Sequence, residues 1–111
     1  VCTAYGMQGI CRCPLKTDPP DPIAGTKTMM FFKLNPAEGI EKYIGAWGHM
    51  LAASDDLIDL IHTHPFIADG STHIQFNLVL PRPRPYRVWV QFQRSGVVNT
   101  ARFDLVPTEL R

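Results

Sequence analysis

Long apolar runs are missing from this 111-residue chain, and so are blocks of like charge. No stretch approaches the roughly 20 consecutive apolar residues of a transmembrane helix, which excludes a helical span within this segment. Lysine and arginine total 11 against 10 acidic residues, for a formal net charge of +1. With no Lys/Arg cluster, neither nucleic acid nor anionic membrane is expected as a partner. A sustained 3.6-residue apolar period with caps is also absent, which argues against long helices. Cysteine stops at residue 13, so the Cys…Trp…Cys spacing of antibody-type domains is excluded. No serine or cysteine sits in a recognisable nucleophile setting and no carboxylates are paired by the pattern, so the chain is not expected to be an enzyme.

What remains is an ordinary globular balance, 45% hydrophobic and 19% charged, in one domain large enough to bury a core without staples. The chain begins at Val1, as a trimmed or mature fragment would, so a missing signal peptide carries no information. Residues 1–26 read as an irregular leader containing Cys2, Cys11 and Cys13 and the run Thr17-Asp18-Pro19-Pro20-Asp21-Pro22. Such a run fits neither a helix interior nor a central strand. A disulfide from Cys2 to Cys11 or Cys13 would leave one thiol over; Cys11-Arg12-Cys13 would alternatively offer soft ligands to a metal.

Beyond Gly25 the pattern turns to short strand-like runs at 28–34, 43–53, 57–64, 73–80, 86–94 and 97–106. Asn35-Pro36-Ala37-Glu38-Gly39 marks a turn, and a helical turn is read at 38–43. Ser95-Gly96 reads as a tight hairpin turn that pairs Arg87 with Asp104, Val88 with Phe103 and Trp89 with Arg102. These runs predict an all-β domain over 27–111. The expected architecture is an antiparallel β-sandwich of about six or seven strands, immunoglobulin-like or cupredoxin-like.

Three of the four histidines cluster between Gly48 and Pro65. A hairpin folding at Ser54-Asp55-Asp56-Leu57 with symmetric pairing sets 54 opposite 57, 51 opposite 60, and His49 opposite His62. Side chains alternate along a strand, so His62 and His64 share a face. Paired residues share a face too, with Cβ atoms about 4.5–5.5 Å apart. His49, His62 and His64 then form a triangle suited to one copper or zinc ion. Trp47 falls opposite His64 in this register and would shield the metal, unless it simply packs in the core. Met50 points away. A thioether from Met7, Met29 or Met30 would favour Cu(I). His73, carried by the 66–72 loop, is a candidate fourth ligand, Asp69 a candidate orienting group, and Asp55, Asp56 and Asp59 read as turn and surface charges. A one-residue slip of the hairpin would dissolve the site.

The blocks Tyr43-Ile44-Gly45-Ala46-Trp47-Gly48-His49, His62-Thr63-His64-Pro65, Tyr86-Arg87-Val88-Trp89-Val90-Gln91-Phe92-Gln93 and Thr100-Ala101-Arg102-Phe103 resemble a family of secreted or periplasmic bacterial β-sandwich proteins. The resemblance spans roughly residues 28–106. Some members accompany heavy-metal-binding modules, which implies an exported domain that handles copper or another metal as carrier or buffer and passes it to a metal-accepting protein. The cysteine signature of such modules is not matched by Cys11-Arg12-Cys13-Pro14. His62-Thr63-His64-Pro65 also resembles the core of JAMM zinc metalloproteases. The Asp that family needs is missing from Ser71-Thr72-His73-Ile74, and only Glu38 or Glu41 could stand in for its base. An interaction domain with incidental histidines is the expectation from a different class.

Overall fold

Strict alternation in Tyr86–Arg94 sets the frame: Tyr86, Val88, Val90 and Phe92 are fully buried, while the residues between them face outward. The same two-residue period recurs in the neighbouring strands, so each sheet has one apolar face to hide. The computed structural model describes residues 15–34, 39–65 and 73–109. Its strands are β1 (Leu15–Asp18), β2 (Lys27–Lys33), β3 (Ile40–Glu41), β4 (His49–Ser54), β5 (Leu60–Thr63), β6 (His73–Val79), β7 (Tyr86–Arg94) and β8 (Val97–Leu105).

They form two antiparallel sheets. One runs β1–β2–β6. In the other, β7 pairs with β8 along its length, with β4 over 86–91 and with β3 at 93–94, and β5 is the outermost strand beside β4. The sheets bury a common core, an arrangement consistent with a sandwich. Phe32 on β2 ties them together. Its ring lies 5.7 Å from that of Phe92 and 5.9 Å, nearly perpendicular, from that of Phe103.

The run read as a strand from 43 is extended only from His49, and three further features differ from the sequence reading. The first sheet begins inside the segment read as leader: β1 pairs with β2, and Leu15 is fully buried. Its four residues stop at the prolines, which removes a strand of so few residues from view in a pattern search. Further along, Ile23 bridges Thr108. Ile40 and Glu41, read as part of a helical turn, are extended against β7. With these two short strands the described residues hold eight strands, not six or seven.

The third difference is register. Leu51 faces His62 and Ala53 faces Leu60, two residues away from the symmetric expectation. Ser54 N–H donates to Asp59 O at 3.0 Å, so the loop holds Asp55, Asp56, Leu57 and Ile58 instead of two residues. Side-chain bonds close it: Ser54 Oγ donates to Asp56 Oδ1 (2.6 Å) and accepts from Asp59 N–H (2.9 Å). Leu57 completes the reversal in the left-handed region (φ 59). The β7–β8 hairpin has the expected pairing, closed by Ser95 and Gly96 at φ 48 and 80.

Cys2, Cys11, Cys13 and Met7, the turn at 35–38, the 66–72 loop with Asp69, and the side chain of His73 lie outside what the structure describes. No helix among the described residues is long and apolar enough to cross a membrane.

Candidate metal centre

The outer face of the larger sheet is ordered in rows. Thr100, Gln91 and His49 lie abreast on β8, β7 and β4; beside them run Arg102, Trp89, Leu51 and His62 on β8, β7, β4 and β5. Carried one step beyond β5, the β4–β5 register brings His64 alongside His49. The slip of two residues therefore changed every pairing in the hairpin and no face, because side chains repeat every second residue.

His49, His62 and His64 converge as a result. Ring centroids are 6.0 Å apart for His49–His62, 5.1 Å for His49–His64 and 4.9 Å for His62–His64. One nitrogen from each ring lies within 4.8 Å of the others; His49 is half-buried and the other two are exposed. In a tetrahedral zinc site with Zn–N near 2.0–2.1 Å, ligand nitrogens stand about 3.3 Å apart. Closing to that spacing requires the two exposed histidine side chains to move inward. The group contains no carboxylate and no thiolate among the described residues.

His49 is held from behind. Tyr43, Ile44, Gly45 and Ala46 make a tight reversal, with paired bonds Tyr43 N–H to Ala46 O (2.7 Å) and Ala46 N–H to Tyr43 O (3.2 Å). Both central residues have positive φ, 50 at Ile44 and 79 at Gly45, as a type I′ turn requires. The Tyr43 carbonyl has a second lone pair, and His49 Nε2 lies 2.6 Å from it. In that pairing Nε2–H donates, and in the neutral ring this makes Nδ1 the nitrogen whose lone pair can meet a metal. The Tyr43 ring stands edge-on to the imidazole at 5.6 Å.

Two clefts flank the triangle, and Ile44 walls both. One, of about 360 Å³, is lined by Tyr43, Ile44, His49, His62, Leu51 and Trp89, with Gln91 and Thr100 on its floor. The other lies among Lys42, Gly45, Trp47, His64 and Pro65. Trp47 packs partly buried against the core with its edge in this second cleft, and Lys42 Nζ sits 5.7 Å from its ring. His49, not Trp47, is thus the residue in line with His64. Met50 and Met30 are fully buried in the core.

The acidic residues of the hairpin loop are engaged elsewhere. Arg82 binds Asp56 and Asp59 at 2.8 Å each, and Arg84 binds Asp55 at 2.8 Å. The Tyr86 hydroxyl donates to Asp59 Oδ2 (2.7 Å) and accepts from Arg82 N–H (3.2 Å). Hydrogen bonds from Arg82 and then Ser54 hold the Asp56 carboxyl well below the usual range; those from Tyr86 and then Arg82 lower that of Asp59. Burial, with the Asp59 carboxylate beside it, pushes the Tyr86 hydroxyl up. This network pins the loop that sets the hairpin register to the segment leading into β7.

The sequence reading missed the Tyr43 carbonyl and Ile44, because nothing in Ile-Gly announces a type I′ turn as Asn-Gly does. It also missed the Arg82 and Arg84 partners, for which the alternation Pro81-Arg82-Pro83-Arg84-Pro85 was an available signal.

No curated protein and no solved structure matches this chain. A protein-family model matches residues 13–108, from just before β1 to the Ile23–Thr108 bridge, and the chain belongs to that family, a domain of unknown function (DUF8832).

Proposed function

We propose that this domain binds one transition-metal ion through Nδ1 of His49 and the imidazoles of His62 and His64, as an exported carrier or buffer. The observation that carries the reading is the approach of one nitrogen from each of three rings to within 4.8 Å. Imidazoles suit copper and zinc, and among divalent ions copper binds such donors most tightly, which favours copper as cargo. The exposure of His62 and His64 favours a carrier, since an accepting protein's ligand can reach the ion and displace them. Export and an immunoglobulin-like or cupredoxin-like sandwich belong to the same reading.

Calorimetric titration of apo protein with copper and with zinc tests it. One-to-one binding tighter than about 1 μM, some −8 kcal/mol, is expected. It weakens from pH 7.5 to 5.5 as protons compete for the same nitrogens, and it is lost in His62→Ala/His64→Ala. Absence of such binding at pH 7.5 refutes the reading. It would leave a second one, an interaction domain, favoured by Leu57, Ile58 and Leu60, which stand 82%, 72% and 70% exposed at the outermost hairpin.

A further inference from the structure

We infer that the cleft lined by Leu51 and Trp89 is a ligand subsite of the metal centre. It takes a small amphipathic monocarboxylate whose flat apolar body lies on the sheet and whose carboxylate binds the ion. The inference rests on the metal-binding reading above and adds to it the chemistry of the missing ligand.

Three observations carry it. Charge is the first. Three neutral imidazoles leave the full charge of a divalent ion uncompensated, and the group supplies no anion among the described residues. The nearest carboxylates along the hairpin, Asp55, Asp56 and Asp59, are bound to Arg82 and Arg84. Glu41 accepts from Gly96 N–H at 2.6 Å. An anion from outside fits this deficit.

Position is the second. His49 and His62, two of the three rings, line this cleft, so an ion between them borders it. Shape and lining are the third. The floor is formed by Leu51 and Trp89, paired across β4 and β7, together with Gln91 and Thr100, and Tyr43 and Ile44 line its wall. Ile44 is 76% exposed, an apolar side chain in the same lining. Gln91 and Thr100 are bonded to each other at 3.2 Å, which engages one polar group of each. A volume of about 360 Å³ admits about a dozen non-hydrogen atoms at roughly 30 Å³ each.

The test uses 2-naphthoate as probe, 2-naphthylmethanol as its neutral counterpart, and protein in apo, zinc-loaded and cobalt-loaded forms. Zinc is titrated first, so that failure of the metal site is seen by itself; no zinc binding overturns both the metal reading and this inference. With zinc bound, 2-naphthoate is expected to bind at least about ten-fold tighter than to apo protein, and the alcohol is expected to show no such gain. The visible spectrum of the cobalt form should change as the carboxylate enters the coordination sphere. Leu51→Gln should weaken naphthoate several-fold with zinc affinity kept. Gln91→Glu, nearly isosteric, should weaken it by like-charge repulsion without weakening zinc. Normal zinc binding with equal naphthoate affinity in apo and loaded protein overturns the subsite and leaves the metal site standing. Tight naphthoate binding with an unchanged cobalt spectrum overturns coordination by the carboxylate.

Discussion

Replacing Ile44 should make this protein more stable. Ile44 is a β-branched residue at φ 50, where the Cβ of an L-residue crowds its own backbone. That conformation costs about 1–2 kcal/mol, and asparagine adopts it with far less strain. The side chain is 76% exposed. Its buried remainder is worth about 0.4–0.7 kcal/mol, given the 1.5–3 kcal/mol of a fully buried aliphatic side chain. The Ile44→Asn variant should therefore gain about 0.3–1.6 kcal/mol. For a domain near 100 residues each kcal/mol raises Tm by about 4–8 °C. Urea denaturation followed by tryptophan fluorescence reads the gain as a higher midpoint at unchanged slope. Zinc affinity should be retained, because the Tyr43 carbonyl that orients His49 belongs to the backbone of the same turn. Naphthoate affinity should fall with the cleft wall. A midpoint below that of the parent would refute the strain argument, for it would mean that isoleucine is favoured here by packing.

Further outcomes concern the core and the charged network. Phe32→Ala, which removes both inter-sheet aromatic contacts, should cost about 3–5 kcal/mol; a loss under 1 kcal/mol in chemical denaturation would show that Phe32 does not bridge the sheets as described. The depressed carboxyls of Asp56 and Asp59 stabilise the fold above the ordinary carboxylate range, near pH 4, and lose that contribution as pH falls through their lowered values. Arg82→Ala should accordingly melt below the parent at pH 7, with the two curves converging towards about pH 2. A constant gap across that range would count against the assignment. Tyr86 has its hydroxyl raised by burial and by Asp59, so its contribution is complete below about pH 10 and is lost as pH rises towards the raised value. Tyr86→Phe should flatten the alkaline limb of the stability profile; an unchanged limb would assign that loss to other groups.

Legibility followed the physics of each element. The β7–β8 pairing could be read residue by residue because Ser95-Gly96 permits only a two-residue reversal. The β4–β5 register could not, since Ser54 and Asp56 close a longer loop through side-chain bonds that a count of apolar residues does not see. The histidine triangle was nevertheless legible, as an even shift keeps every side chain on its face. The cleft beside it was not: its floor comes from β4, β7 and β8, and such a floor exists only once those strands are paired. Ile44 escaped for the opposite reason, because intrinsic preference argues against isoleucine in the conformation that the turn imposes.

All three imidazoles stand on one hairpin, between residues 49 and 64. The loop that an ion must close to gather them costs less chain entropy than ligands from strands distant in sequence would demand. An unfolded chain therefore keeps part of its hold on the ion, and a ligand bound by both states shifts the balance between them only by the difference. A ligand seen by the native state alone adds about 2.7 kcal/mol at a hundred times its Kd; copper or zinc should add less here, with a smaller rise in Tm than the affinity implies. Capture of the ion can then precede closure of the sheets, with the loaded hairpin serving as a preformed piece onto which β7 and β8 assemble.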